Sequence, residues 1–340
     1  LPRKYVVSDA DGNPRRVTVR DALRQYVHSL NFFEDRRRLL HAAFEFSHLL
    51  MVVPTIAFFT LYLSWWTLAA YSGMFFVLAN FHNTIWYHRY CSHRAFSFAY
   101  PLIPKLCLWF NPLGYREEVY ALVHHVHHTK ADSDEDPNGP RLGWLGNYTA
   151  SYFQIDTDIS IDAFEQLKSR LSHIGMPFST YESFRRWGCV EYIPHYLARW
   201  IFATSFWCSV FYLVGGLPLL AAWFAVQFSW HAIVRDFNFR GHGTHEKPSQ
   251  VDGWDFDRKS LALNQRFYGY LAGEWHNNHH AFRASANTAF LRGQLDIPFL
   301  IIRIMKRIRL VSSYHDHSLQ FRARYLEGPR EHRENYSETS

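Results

Sequence analysis

Histidine is the residue type in this chain best placed to do chemistry, with 21 among 340 residues, and nine of them fall into a pattern. The densest stretch is His124-His125-Val126-His127-His128. On a helix, positions i, i+3 and i+4 share a face, so His124, His127 and His128 would aim three imidazoles at one point, with His125 to the side. Imidazole is the usual nitrogen ligand for zinc, copper, iron and nickel. A polar, solvated helix end would explain one such cluster, but His276, His279 and His280 repeat the spacing, His88 and His93 stand five apart, and His242 lies between these groups. Nine nitrogens are too many for one tetrahedral site and suit two ions with open positions.

Such a set needs apolar elements that deliver it to one place. From Phe46 to His88 there is no Asp, Glu, Lys or Arg, and the same holds between Arg199 and Arg235. A membrane span needs about 20 apolar residues. The first run therefore fits two helices, near 49–68 and 71–88, joined at Tyr71-Ser72-Gly73. The second fits another pair, near 193–214 and 217–237, joined at Gly215-Gly216-Leu217-Pro218. Each pair returns the chain to the side it left, and histidines follow each pair. Residues 99–115, broken by Pro101, Pro104 and Pro112, read as an interfacial segment. Ile297–Leu310, with Arg303, Lys306, Arg307 and Arg309 interleaved, reads as an amphipathic helix on the membrane.

Bulk composition agrees. Apolar residues make up 48% and aromatics 18% of the chain, yet mean hydropathy is −0.23, as expected of spans that carry a substantial polar part. The net charge of +6 suits anionic lipid, phosphate groups or acidic partners. No nucleic-acid recognition motif accompanies it. Cys91, Cys107, Cys189 and Cys208 form no CxxC pair, so neither a thiolate site nor a disulfide framework is indicated. The opening residue, Leu1, points to a trimmed start. Basic residues ahead of the first span, including Arg36-Arg37-Arg38, mark the cytoplasmic side. The resulting division is a basic arm (1–45), a first hairpin (46–88), a polar part (89–191), a second hairpin (192–237), a second polar part (238–318) and a charged tail (319–340).

The three histidine stretches, HRYCSH, HHVHH and HNNHH, resemble the histidine boxes of membrane fatty acyl desaturases of the stearoyl-CoA and cyanobacterial or plant delta-9 kind. Asp132-Ser133, Asp136-Pro137 and GEWHNNHHAF resemble that family's pattern as well, and the order of spans and boxes agrees from about residue 46 to 310. The resemblance implies an all-α membrane protein, with four transmembrane helices in two hairpins and a cytosolic helical cap around a di-iron site. It implies iron binding by His88, His93, His124, His127, His128, His242, His276, His279 and His280, with Asn238 holding a metal-bound water. Asp132, Asp136 and Glu274 are candidates to accept from and orient these imidazoles, beside ordinary capping roles. The implied reaction is dioxygen-dependent insertion of a double bond into an acyl chain carried by CoA, carrier protein or lipid. Two electrons come from a separate carrier, a ferredoxin or small cytochrome, since no haem, flavin or ferredoxin motif is present.

Some positions depart from the family. His125 replaces an arginine and Asn138 a frequent histidine. Arg235-Asp236 stand where relatives carry apolar residues, and Arg235 shares one helical face with His231, Asn238 and His242. A snorkelling ion pair accounts for them. The alternative is a head-group site made by Arg235 and His231, as in an oxidative decarboxylase forming a terminal alkene, or a hydroxylase. A divalent-metal transporter would instead spread ionisable residues along its spans.

Overall fold

The computed structural model describes residues 2–3, 11–12, 18–131, 133, 136–138, 154–241 and 275–326, and these are mostly helical. Helix α1 (Val19–Leu30) opens in a reciprocal cap: Thr18 accepts from the backbone N–H of Asp21, and Asp21 from that of Thr18. Helix α2 (Leu39–Ala57) widens just after Pro54 into i→i+5 winding over Phe58–Tyr62. The chain then turns at Leu63-Ser64. Leu63 is extended, and Ser64 and Thr67 cap each other at the start of α3 (Trp65–Val77).

This corrects the turn expected at Tyr71-Ser72-Gly73. Cap chemistry decides the position, and Gly73 lies inside α3, facing open space. Phe58 of the wide winding and Tyr71 of α3 stack across the turn with centroids 5.5 Å apart, so the chain doubles back there. Helix α3 continues into i→i+5 winding over Leu78–Ser92.

Beyond it, strand β1 (Phe96–Phe98) pairs antiparallel with β2 (Val311–Tyr314), in the register Phe96 to Tyr314 and Ser97 to Ser313. Helices α4 (Leu102–Trp109), α5 (Glu117–Lys130), α6 (Ile161–Leu171) and α7 (Tyr181–Trp187) follow. Helix α8 (Ile193–Gly241) breaks where the sequence predicts, at Gly215 and Gly216. Gly216 has φ +63°, which a residue without a Cβ adopts freely. Phe211 and Trp223 touch across the break, centroids 4.6 Å apart. Twelve residues of straight helix would hold them about 18 Å apart, so the chain doubles back. Short α9 (His276–Ala281), α10 (Ile297–Arg307) and α11 (Ser318–Phe321) complete the described helices.

Among the described residues two helices are long and apolar enough to cross a membrane, Arg36–Tyr62 and Ile193–Asp236. Their apolar side chains stay exposed, with Leu50 at 75%, Val53 at 72% and Leu213 at 82%, as expected of a lipid-facing surface. Trp65 and Trp66, exposed at the first turn, suit a membrane interface.

Helix α5 is fixed to this frame by charges with no access to water. Glu117 accepts from Arg199 (2.5 Å), Asn111 (2.6 Å) and the Trp86 indole (3.3 Å). Arg199 also reaches Glu191 at 2.7 Å, and Glu118 accepts from the backbone N–H groups of Val190 and Glu191. Removing one partner of a buried pair leaves an uncompensated charge. Arg199→Met should therefore lower unfolding free energy by about 3–5 kcal/mol, read as an earlier midpoint when the protein is unfolded in detergent micelles. An unchanged midpoint would mean that these charges are not holding α5.

Candidate metal centre

The i→i+5 winding of Leu78–Ser92 solves a problem set by the first histidine pair. Residues five apart on an α-helix point about 140° away from each other. The wider winding stacks position i+5 over position i, and the His93 backbone N–H donates to the His88 carbonyl at 3.2 Å. The two rings accordingly lie 4.8 Å apart between centroids. On α5, His124, His127 and His128 share one face as their spacing predicts, and α9 presents His276, His279 and His280 the same way.

These side chains gather into two groups. His88, His93, His124, His128 and His279 form one, and His127, His276 and His280 the other, with the ligand atoms of each group all within 4.8 Å of one another. Contacts run through Nε2. His124 lies 2.8 Å from His93 and 3.1 Å from His128, and His128 lies 2.9 Å from His279. In the second group, His280 Nε2 lies 3.3 Å from His127 and 3.2 Å from His276. Two nitrogens bound at right angles to a metal, with bonds of about 2.1 Å, stand about 3.0 Å apart. The donor set thus fits a cation in each group.

Burial, then the proximity of other imidazoles, holds His124, His128 and His279 well below the ordinary histidine pKa. They are neutral, the form that binds metal. Asp136, wholly buried, accepts from His127 Nδ1 at 2.8 Å and from the Asn138 backbone N–H at 2.8 Å. This fixes the His127 tautomer and turns its Nε2 toward the group. Asp136 thus has the orienting geometry that the sequence suggests.

His125 belongs to neither group and lines an open cleft instead. Asn238 lies on the α8 backbone. His242, Asp132 and Glu274 lie outside the described residues. Arg235 is not presented as a bare charge: it pairs with Glu45 of α2 at 3.2 Å. His231 packs on His48 with centroids 4.3 Å apart.

A second buried pair, which no spacing rule suggests, ties the first box to the third. Arg89, next to His88, donates to both carboxylate oxygens of Asp296 at 2.7 and 2.8 Å and to the Ala286 carbonyl. Asp296 also accepts from the N–H of Thr288 (2.9 Å) and, as the cap of α10, from that of Phe299 (2.9 Å). Asn278, inside α9, donates to the Thr288 carbonyl at 2.7 Å. The only trace in the sequence is an arginine directly after a ligand-type histidine. Tyr120, stacked on His124 at 5.8 Å, likewise carries no motif.

The family whose model matches the chain, over residues 63–292, is described as fatty acid desaturase. The palmitoyl-monogalactosyldiacylglycerol delta-7 desaturase of Arabidopsis thaliana is 24% identical over 317 residues, 89% of this chain and 76% of that one. The delta-9 desaturase-like 4 protein of the same plant is 28% identical over 257 residues, 71% of this chain and 74% of its own. The icosanoyl-CoA 5-desaturase of Limnanthes douglasii is 24% identical over 249 residues, 70% and 63%.

Loss of a carboxylate that orients a ligating imidazole typically costs 10–100-fold in metal affinity. Asp136→Asn should therefore weaken binding of ferrous iron by about that factor, measured by competition with a chelator under anaerobic conditions. His125→Ala should leave the affinity where it is. Equal affinity in Asp136→Asn and the parent chain would remove Asp136 from the site.

Proposed function

The chain belongs to the fatty acid desaturase family and is an oxidoreductase enzyme, and from that premise we propose that it is a di-iron, dioxygen-dependent desaturase of an acyl chain. The observation that carries this reading is the convergence of eight histidines, through ring nitrogens, in two groups. We assign one iron to His88, His93, His124, His128 and His279. The other goes to His127, His276 and His280, while His242 and, through a water, Asn238 are the further ligands that the resemblance implies. When bound, the irons would activate dioxygen toward an unactivated methylene.

Electron balance defines the rest. Taking two hydrogens from the acyl chain supplies two of the four electrons that reduce dioxygen to two waters. The other two, with two protons, come from a separate carrier. The protein's own part is to keep the imidazoles of the five-histidine group neutral through burial, to fix the His127 ring through the Asp136 contact, and to hold an apolar chain still beside them.

In this reading the two doubled-back helices form four spans, and 89–191 and 238–318 form a cap on the cytoplasmic face. The basic arm ahead of the first span supports that orientation. The acyl carrier is CoA, carrier protein or lipid; the names of the relatives refer to both a lipid and acyl-CoA. Arg235 is already matched by Glu45, which weighs against a head-group role for its charge.

Anaerobically purified, iron-loaded protein given dioxygen, a reductant and acyl substrates tests this. Mass spectrometry should find a product two mass units lighter with the carbon number unchanged. An alkene one carbon shorter would contradict desaturation, and stoichiometric zinc with no oxygen consumption would contradict iron chemistry altogether. His127→Ala and His280→Ala should each abolish turnover; activity in either would break the ligand assignment.

A further inference from the structure

A cleft of about 450 Å³ opens beside the five-histidine group, and its lining draws on the first two histidine stretches and on residues just after the third. Ser92 and His93 come from the first, with Arg94 directly after it, His125 and His128 from α5, Arg170 from α6 and Arg283 from just beyond α9. Arg94, Arg170 and Arg283 are exposed, and no Asp or Glu is among the described residues that line the cleft. Its floor includes His93 and His128, which both belong to the five-histidine group.

The backbone invests in this arrangement. Arg94 has φ +50°, a left-handed conformation that costs a non-glycine residue energy. One turn thereby sends His93 inward to the histidine group while the Arg94 guanidinium donates to the carbonyls of Ser169 and Arg170 at the end of α6. A positive rim is thus held next to an imidazole of the centre.

We propose that this cleft is the docking site of a small acidic one-electron carrier protein, which delivers the two external electrons through His93 and His128. The proposal rests on the desaturase reading, whose electron balance requires such a carrier. Charge complementarity favours that occupant, because exposed rim charges steer association with a partner of opposite sign. Electron transfer also slows steeply with distance, and at this cleft a docked carrier lies directly over histidines of the centre.

The full chain, iron-loaded in nanodiscs, would be assayed with a reduced plant-type ferredoxin as donor. Arg170→Glu/Arg283→Glu should raise the apparent KM for ferredoxin about tenfold and flatten its salt dependence, with iron content and the KM for acyl-CoA unchanged. Arg170→Lys/Arg283→Lys should restore the parent KM. An unchanged KM for ferredoxin in the glutamate variant would overturn the proposal. So would a raised KM for acyl-CoA with ferredoxin unaffected, which would give the cleft to phosphate groups. Turnover of the parent with dithionite but not with ferredoxin would overturn it as well. If the parent forms no product with either donor from acyl-CoA, acyl-carrier-protein or acyl-lipid, the desaturase reading itself fails. Direct binding of ferredoxin to the immobilised protein then decides the docking separately: binding lost in the glutamate variant supports it, and equal binding overturns it.

Discussion

Nitrogen atoms of neutral imidazoles cannot all satisfy one another when five of them meet in a buried place, because each close pair needs one donor and one acceptor. Here Nε2 atoms approach to 2.8–3.3 Å in two groups, with more mutual contacts than donor and acceptor pairing can order. A cation between them resolves the conflict. Without one the arrangement is unfavourable, so the surrounding protein has to impose it. Much of the structure around the histidines can be understood as that imposition.

Two sets of buried charges do the imposing. Arg199 between Glu117 and Glu191 sets the start of α5, and Arg89 with Asp296 sets α10 and the segment after α9 against the end of α3. Buried pairs of this kind add little net stability compared with apolar replacements, yet they are costly to break singly. Asp296, and Glu118 beside Glu117, also take backbone donors, so their positions fix several residues at once. The hairpins contribute differently, through apolar faces that pack inward on Phe58, Ala222 and Val226 and outward leave an apolar surface for lipid.

How much of this could be read from the chain depended on the range of the interactions. Spacing within one helix was legible: the i, i+3, i+4 histidines of α5 and α9 do share faces, and the break at Gly215-Gly216 followed from backbone freedom alone. Asp136 was legible only as one of three candidate acceptors, and its pairing with His127, nine residues away, was not. The first turn was misplaced because a Tyr-Ser-Gly triplet looked more like a break than Ser64 with Thr67, whose capping shows only when both side chains are considered as a pair. His88 and His93 pointed at a common site only on the assumption that something brought them together. The wide winding that does so has no local signature. Arg89 with Asp296, separated by 207 positions, was beyond any spacing rule, and Arg235 drew attention to a head group while its partner Glu45 lay 190 positions earlier.

The open cleft over His93 and His128 adds an asymmetry to the centre, since one histidine group adjoins a basic surface while the other is oriented by a buried carboxylate. Two metal ions in such different surroundings should be distinguishable. Mössbauer spectroscopy of the anaerobic protein loaded with iron-57 tests this most directly. The account predicts two irons per chain and two quadrupole doublets of equal area. One iron per chain with a single doublet, or an occupied site holding only zinc, would contradict it.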